Sequence, residues 1–176
     1  MDLCLVGSEM CIRDSLCANK IDRPIGSTIY TQMLNDDGGI ECDLTITVID
    51  KNTFYIITGT GFMTHDYDWI ISNIPNNLEV EVKNITFDNS VFSLMGPNSR
   101  KILQGLTNTD LSNDNFPFAT CKKIKIASKD VYAIRITYMG ELGWELHFPI
   151  DFSSEIYSKI MEYGNQFGLI NAGYRC

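Results

Sequence analysis

The residues best placed to do chemistry lie around Gly140-Glu141-Leu142-Gly143. If Glu141 and Leu142 form a two-residue hairpin loop, counting outward sets Met139 opposite Trp144 and Tyr138 opposite Glu145. An aromatic ring beside a carboxylate suits a flat heterocycle with adjacent N–H donors, because the carboxylate accepts two parallel hydrogen bonds while the ring stacks. A plain Tyr–Glu pair on a hairpin surface has the same spacing. A second carboxylate, Asp43, shares the polar face of an alternating strand with Thr45. There it can orient a ring nitrogen, move a proton, or simply meet water.

Other catalytic templates lack their parts. Gly59-Thr60-Gly61 follows a strand and precedes a helix, but the third glycine of a dinucleotide fingerprint is missing. No P-loop and no GxSxG elbow occurs. His65 and His147 stand without a Cys-His or HExxH pattern, so each reads as a helix-start or strand-surface residue and no metal site is expected. Lys122, Lys123 and Lys125 form a basic cluster that suits either an anionic ligand tail or a solvated strand edge.

The elements that position these groups are mostly strands. Ser27 to Leu34 is a β-rich run, the Asn35 to Gly39 stretch is a turn signal, and Ile40 to Asp50 alternates. Ile40, Cys42, Leu44, Ile46 and Val48 fall on one face, with Glu41, Asp43, Thr45 and Thr47 on the other. A turn at Lys51-Asn52 leads into a third strand, Thr53 to Thr58. Thr64 then caps a helix that carries Asp66 and Asp68 in its first turn and ends at Pro75. A second unit follows, with strands over Leu78 to Thr86 and Val91 to Leu94, and a helix over Asn98 to Leu106. A hairpin over Lys122 to Ala127 and Val131 to Tyr138, a strand over Trp144 to Phe148 and an amphipathic helix over Phe152 to Phe167 complete it. The fold class is α+β, with mostly antiparallel sheets and packed helices.

Composition limits the partners. The chain has 176 residues, 44% of them apolar, enough for one or two cores. A net charge of -8 opposes a nucleic-acid backbone or an anionic membrane surface as partner. No apolar run approaches the roughly 18 residues of a membrane span. The six cysteines show no CxxC pair, which suits reduced thiols in a cytosolic-type compartment. Residues 1–15 have no periodicity and contain VGSEMCIRDS, which resembles translated sequencing-adapter text. They are expected to be a non-native leader or a disordered tail that adds nothing to folding.

From Leu16 onward, six ordered stretches carry a family resemblance. They are CANKIDRPIGSTIYTQMLNDDGGIECDLTIT, TGTGFMTHDYDWI, LMGPNSR, FPFAT, YMGELGWELH and NAGYR. Together they resemble the folate-binding region of the glycine-cleavage T-protein family, in particular the aminomethyltransferase-like part of dimethylglycine and sarcosine dehydrogenases. The resemblance implies a T-protein-type folate-binding fold over residues 16–176, in parts of roughly 16–75 and 76–176, with the sequence stopping before the family's C-terminal barrel. It implies tetrahydrofolate as cofactor, FAD in a domain outside this chain, and an N-methyl amine as substrate.

Carried over by position, Asp43 corresponds to the carboxylate closing the GGIxxD motif, the one implicated in one-carbon chemistry. Tyr30, thirteen residues earlier, corresponds to a tyrosine lining the folate site, while Tyr138 and Glu145 correspond to the pterin-contacting pair. Cys42-Asp43 replaces the two acidic residues usual in T-proteins, a departure shared with the dehydrogenase branch. The implied reaction is capture by folate of an iminium carbon, made by flavin oxidation of the amine, as 5,10-methylenetetrahydrofolate. A stand-alone aminomethyltransferase and a catalytically silent regulatory module of the same fold are the rival readings. The resemblance also implies a cytoplasmic protein, or one of the mitochondrial matrix in a eukaryote, and no feature of the chain specifies an oligomeric state.

Overall fold

Alternation of apolar and polar residues organises the first part of the chain. In the computed structural model, which describes the backbone of residues 2–7 and the whole of residues 16–77 and 79–173, Ile40–Asp50 forms strand β3. It lies between β2 (Thr28–Leu34) and β4 (Thr53–Thr58), antiparallel to both. Cys42, Leu44, Ile46 and Val48 are buried together with Met33, Phe54 and Ile56, so the expected stripe forms the core of this sheet. Two positions depart from it. Ile40 is exposed because the ladder slips between Met33 and Leu34, which releases the strand end from the core. Thr47 is buried on the polar side, where its hydroxyl meets that of Thr28 at 2.9 Å.

The turn between β2 and β3 is built on Asn35. Its carboxamide oxygen accepts from the backbone N–H of Asp37 at 3.1 Å and of Gly39 at 2.8 Å. Gly38 takes a φ of +80°, which a residue without Cβ reaches at little cost. After β4, helix α1 (Met63–Ser72) packs through Ile70, with Met63, Tyr67 and Trp69 partly buried beside it. A 3-10 turn at Thr60–Phe62 precedes the helix, so Thr64 lies inside it rather than at its cap.

Residues 2–7 correct the expectation for the leader. Asp2–Gly7 forms β1, which pairs with β4 on one side and with β5 (Val80–Asn84) on the other. The five-stranded order is β2-β3-β4-β1-β5. Pairing of this kind is made by backbone N–H and C=O groups, so a segment without motif or periodicity can still supply it. Residues 8–15 and Leu78, at the expected start of the fifth strand, lie outside the described residues, as do Arg175 and Cys176. Because β5 belongs to this sheet, the first compact unit runs over Met1–Phe87 and the second over Asp88–Cys176, twelve residues beyond the expected division at 75/76.

The second unit is a four-stranded antiparallel sheet in the order β6-β9-β8-β7. Its strands are β6 (Asn89–Met95), β7 (Cys121–Ile126), β8 (Lys129–Ile134) and β9 (Gly143–Pro149). Helices α2 (Ser99–Gln104) and α3 (Ser153–Gly164) join the same core, α3 through Ile156 and Ile160 one turn apart. Trp144, Leu146 and Phe148 alternate along β9 into that core. The expected α+β class with antiparallel sheets is observed in both units. Among the described residues no helix is long and apolar enough to cross a membrane, and Cys17, Cys42 and Cys121 are free thiols.

Deleting residues 1–7 removes the only ladder that β5 makes among the described residues. With each backbone hydrogen bond worth roughly 0.5–1.5 kcal/mol net, the thermal midpoint should fall by several degrees. An unchanged midpoint would show that β1 adds nothing to the fold.

Candidate functional site

Three of the expected site residues share one face of the first unit. Directly paired residues of an antiparallel ladder project to the same side, and here Tyr30 pairs with Thr45 while Gln32 pairs with Asp43. Tyr30, Thr45 and Asp43 therefore stand on the polar face of the β2–β3 hairpin, opposite Met33, Cys42 and Leu44. Tyr30 is 56% exposed, Asp43 is exposed and Thr45 is half-buried. Asn19 holds this part of β2 by donating from its carboxamide to the Tyr30 carbonyl at 2.8 Å. A ring, a hydroxyl and a carboxylate on adjacent strands can receive a flat, nitrogen-rich ring by stacking and hydrogen bonding.

The other two expected residues belong to the second unit, and their arrangement corrects the hairpin count. Glu145 pairs with Ile134 on β8 and with Ser93 on β6, not with Tyr138. Trp144 likewise pairs with Leu94 rather than Met139. Strand β8 ends at Ile134, four residues short of the expected limit, and residues 135–142 form a longer connection. Its ends are tied to neighbours instead of to each other. The Arg135 N–H donates to the Thr120 carbonyl at 2.8 Å, and the Gly96 N–H donates to the Leu142 carbonyl at 2.8 Å. Gly143 is needed where β9 meets β6, since a Cβ there would stand 2.7 Å from the Leu94 carbonyl oxygen. Tyr138 projects from the connection fully exposed. Glu145 is half-buried, with its carboxylate 3.5 Å from Nε2 of the buried His147.

One cluster was not legible from motif spacing. On the core side of β3, the thiol of Cys42 donates to the buried carboxylate of Asp66, which also accepts from Thr58 Oγ1 and pairs with His65 Nδ1 at 3.0 Å. Glu41 stands 3.5 Å from His65 Nε2 and accepts from the Asn35 carboxamide at 2.8 Å. The ligand-type atoms of Cys42, His65 and Asp66 lie within 4.8 Å of one another. Burial, then the Asp66 charge, pushes the Cys42 thiol up to about 12, so the sulfur keeps its proton at neutral pH. The group is a hydrogen-bond network that ties α1 to β3 and β4 on the face opposite to Asp43. The available signal was His65-Asp66 in the first turn of a helix that follows a strand, where a carboxylate on the inner face needs donors.

A family model described as the GCVT N-terminal domain matches residues 9–176. Mitochondrial dimethylglycine dehydrogenase of Rattus norvegicus is 40% identical over 161 residues, covering 91% of this chain and 19% of that protein. Mitochondrial sarcosine dehydrogenase of Mus musculus is 36% identical over 176 residues, covering 92% of this chain and 19% of that protein. The crystal structure of glycine cleavage system aminomethyltransferase T from Bartonella henselae matches with a TM-score of 0.76 at 20% identity, over 91% of this chain and 42% of that one. That structural likeness is one of fold. The chain spans about a fifth of the length of the two dehydrogenases.

The His65 network should show in the pH dependence of stability. The hydrogen bond with Asp66, with the charges of Asp66 and Glu41, raises the His65 pKa above its ordinary 6.5. A raised folded-state value stabilises fully below the unfolded value and ceases to do so as pH rises through the folded value. Urea unfolding of the wild type and of His65→Gln should therefore differ most at acid pH, with the gap closing from pH 6.5 upward. A gap independent of pH would contradict the assignment.

Proposed function

The chain belongs to the GCVT N-terminal domain family, and from that premise we propose that it is the tetrahydrofolate-binding portion of an N-methyl amine dehydrogenase of the dimethylglycine or sarcosine type. The single observation that carries the reading is the shared polar face of Tyr30, Thr45 and Asp43, set by the β2–β3 register. Its 36–40% identity to two dehydrogenases supports that branch over a stand-alone aminomethyltransferase. Both relatives are named mitochondrial, which supports a matrix location for a eukaryotic protein.

The donor set fits a reduced pterin. Asp43 offers an exposed acceptor that can orient a ring N–H or receive a proton, Thr45 offers a hydroxyl beside it, and Tyr30 offers a ring across the strand. In the second unit, Glu145 can accept two parallel N–H bonds, and its partial burial strengthens them relative to water. Tyr138 contributes a ring on a connection separate from Glu145, so the two act as independent contacts rather than a cross-strand pair. When bound, tetrahydrofolate supplies the nitrogens that capture the one-carbon unit. Asp43 is assigned the proton associated with that capture. The flavin and the amine are assigned to parts of the enzyme outside these residues.

Two substitutions test the roles. In the full-length enzyme, Asp43→Asn should spare amine oxidation and lower the yield of methylenetetrahydrofolate; an undiminished yield makes Asp43 an ordinary surface carboxylate. Charge-assisted hydrogen bonds contribute roughly 1.5–3 kcal/mol, so Glu145→Gln should weaken tetrahydrofolate binding by about ten- to a hundredfold in calorimetric titration. Glu141→Gln, at an exposed position of the 135–142 connection, should change it little. Equal losses at the two glutamates would remove Glu145 from the pterin site.

A further inference from the structure

Two arginines in the second unit converge without an acid to neutralise them among the described residues. Arg100, on α2, and Arg135, just past β8, each donate from Nη2 to the same acceptor, the carboxamide oxygen of Asn113, at 2.6 and 2.8 Å. Arg135 also donates from Nη1 to the Phe116 carbonyl at 2.5 Å. Both guanidinium carbons lie over the Trp144 ring, 5.8 and 5.7 Å from its centroid. Neither arginine forms an ion pair with a carboxylate among the described residues. Asp110, three residues before Asn113, is spent on its own loop, accepting from the Ser112 N–H at 2.8 Å and the Asn115 carboxamide at 2.6 Å.

Donors exceed acceptors here. Nε of Arg100 and Nε1 of Trp144 are both buried and have no hydrogen-bond partner among the described residues, and Trp144 as a whole is completely buried. Buried donors are nearly always satisfied, and like charges held together repel. Burial and the Arg100 charge both pull the Arg135 pKa below its ordinary value, which marks the pairing as unfavourable without a counter-charge. Stacking on Trp144 offsets part of the cost, and the two hydrogen bonds to Asn113 another part, but neither supplies negative charge.

We propose that Arg100, Arg135 and Asn113 frame a binding site for an oxyanion, the phosphate or carboxylate group of a small ligand. Two planar guanidinium forks suit an acceptor with several oxygens, and the Asn113 amide nitrogen adds a further donor. The site lies on the face of β9 opposite to Glu145, since successive residues of a strand project to opposite faces and Trp144 and Glu145 are neighbours in the chain.

The test is titration of the 176-residue chain with inorganic phosphate, against chloride at matched ionic strength. The chain has two tryptophans, so Trp69→Phe leaves Trp144 as the sole indole reporter. Phosphate should change its emission saturably and raise the thermal midpoint, with chloride doing neither. Arg100→Lys and Arg135→Lys, which keep the charge and lose the fork, should each weaken phosphate binding by about tenfold. Lys125→Gln, whose ammonium is engaged by Asp130 at 2.8 Å, should leave it unchanged. A parallel titration with succinate separates the two sources, the tighter ligand giving the class. Phosphate and chloride acting alike, or full phosphate affinity in both lysine variants, would overturn the site. Should the variants fail to fold, the phosphate-against-chloride comparison in the unmutated chain decides by the same criterion.

Discussion

The period-two register of β3 is the constraint on which the first unit depends. Cys42, Leu44, Ile46 and Val48 must face inward to build the core, and that requirement alone turns Asp43 and Thr45 outward. A slip of one residue would bury Asp43 and expose four apolar side chains. Three features oppose the slip. Asn35 closes the turn with its own carboxamide, β4 pairs along the other edge, and the Cys42–Asp66–His65 network ties the inner face to α1. The same alternation places Tyr30 beside Thr45, so the candidate site follows directly from how the core is packed.

Much of the first unit was readable from residue order because its information is local. The three strands of the meander alternate or carry β-branched residues, and their turns contain the expected Asn, Asp and Gly. The strand at residues 2–7 was not readable, since its partners β4 and β5 are distant in sequence and ladder pairing is made by backbone groups that any residue carries. The Asp66 network was hidden for a related reason. A carboxylate in the first turn of a helix ordinarily meets solvent, and only the docking of α1 on β3 turns this one inward.

In the second unit the strands were legible and the connection was not. GELG has the form of a tight hairpin, yet the sheet order puts β6 rather than β8 beside the start of β9. Once Gly143 packs against β6, the residues before it have no facing strand, and Tyr138 is left on an exposed connection. The family resemblance had pointed to Tyr138 and Glu145 without depending on that register, and their proposed roles persist as separate contacts. The opposite face of β9 carries the Trp144 platform and its two arginines, so one strand presents a carboxylate to one side and supports a cationic pair on the other.

The central claim is that the outer face of the β2–β3 hairpin receives the pterin ring. Ring-resolved NMR of the tyrosines during tetrahydrofolate titration tests it most directly, because a stacked pterin shifts the resonances of the ring it covers. The account predicts saturable shifts at Tyr30, with Tyr163, half-buried on α3 against the core of the second unit, unaffected. Binding that leaves the Tyr30 ring unperturbed would contradict it.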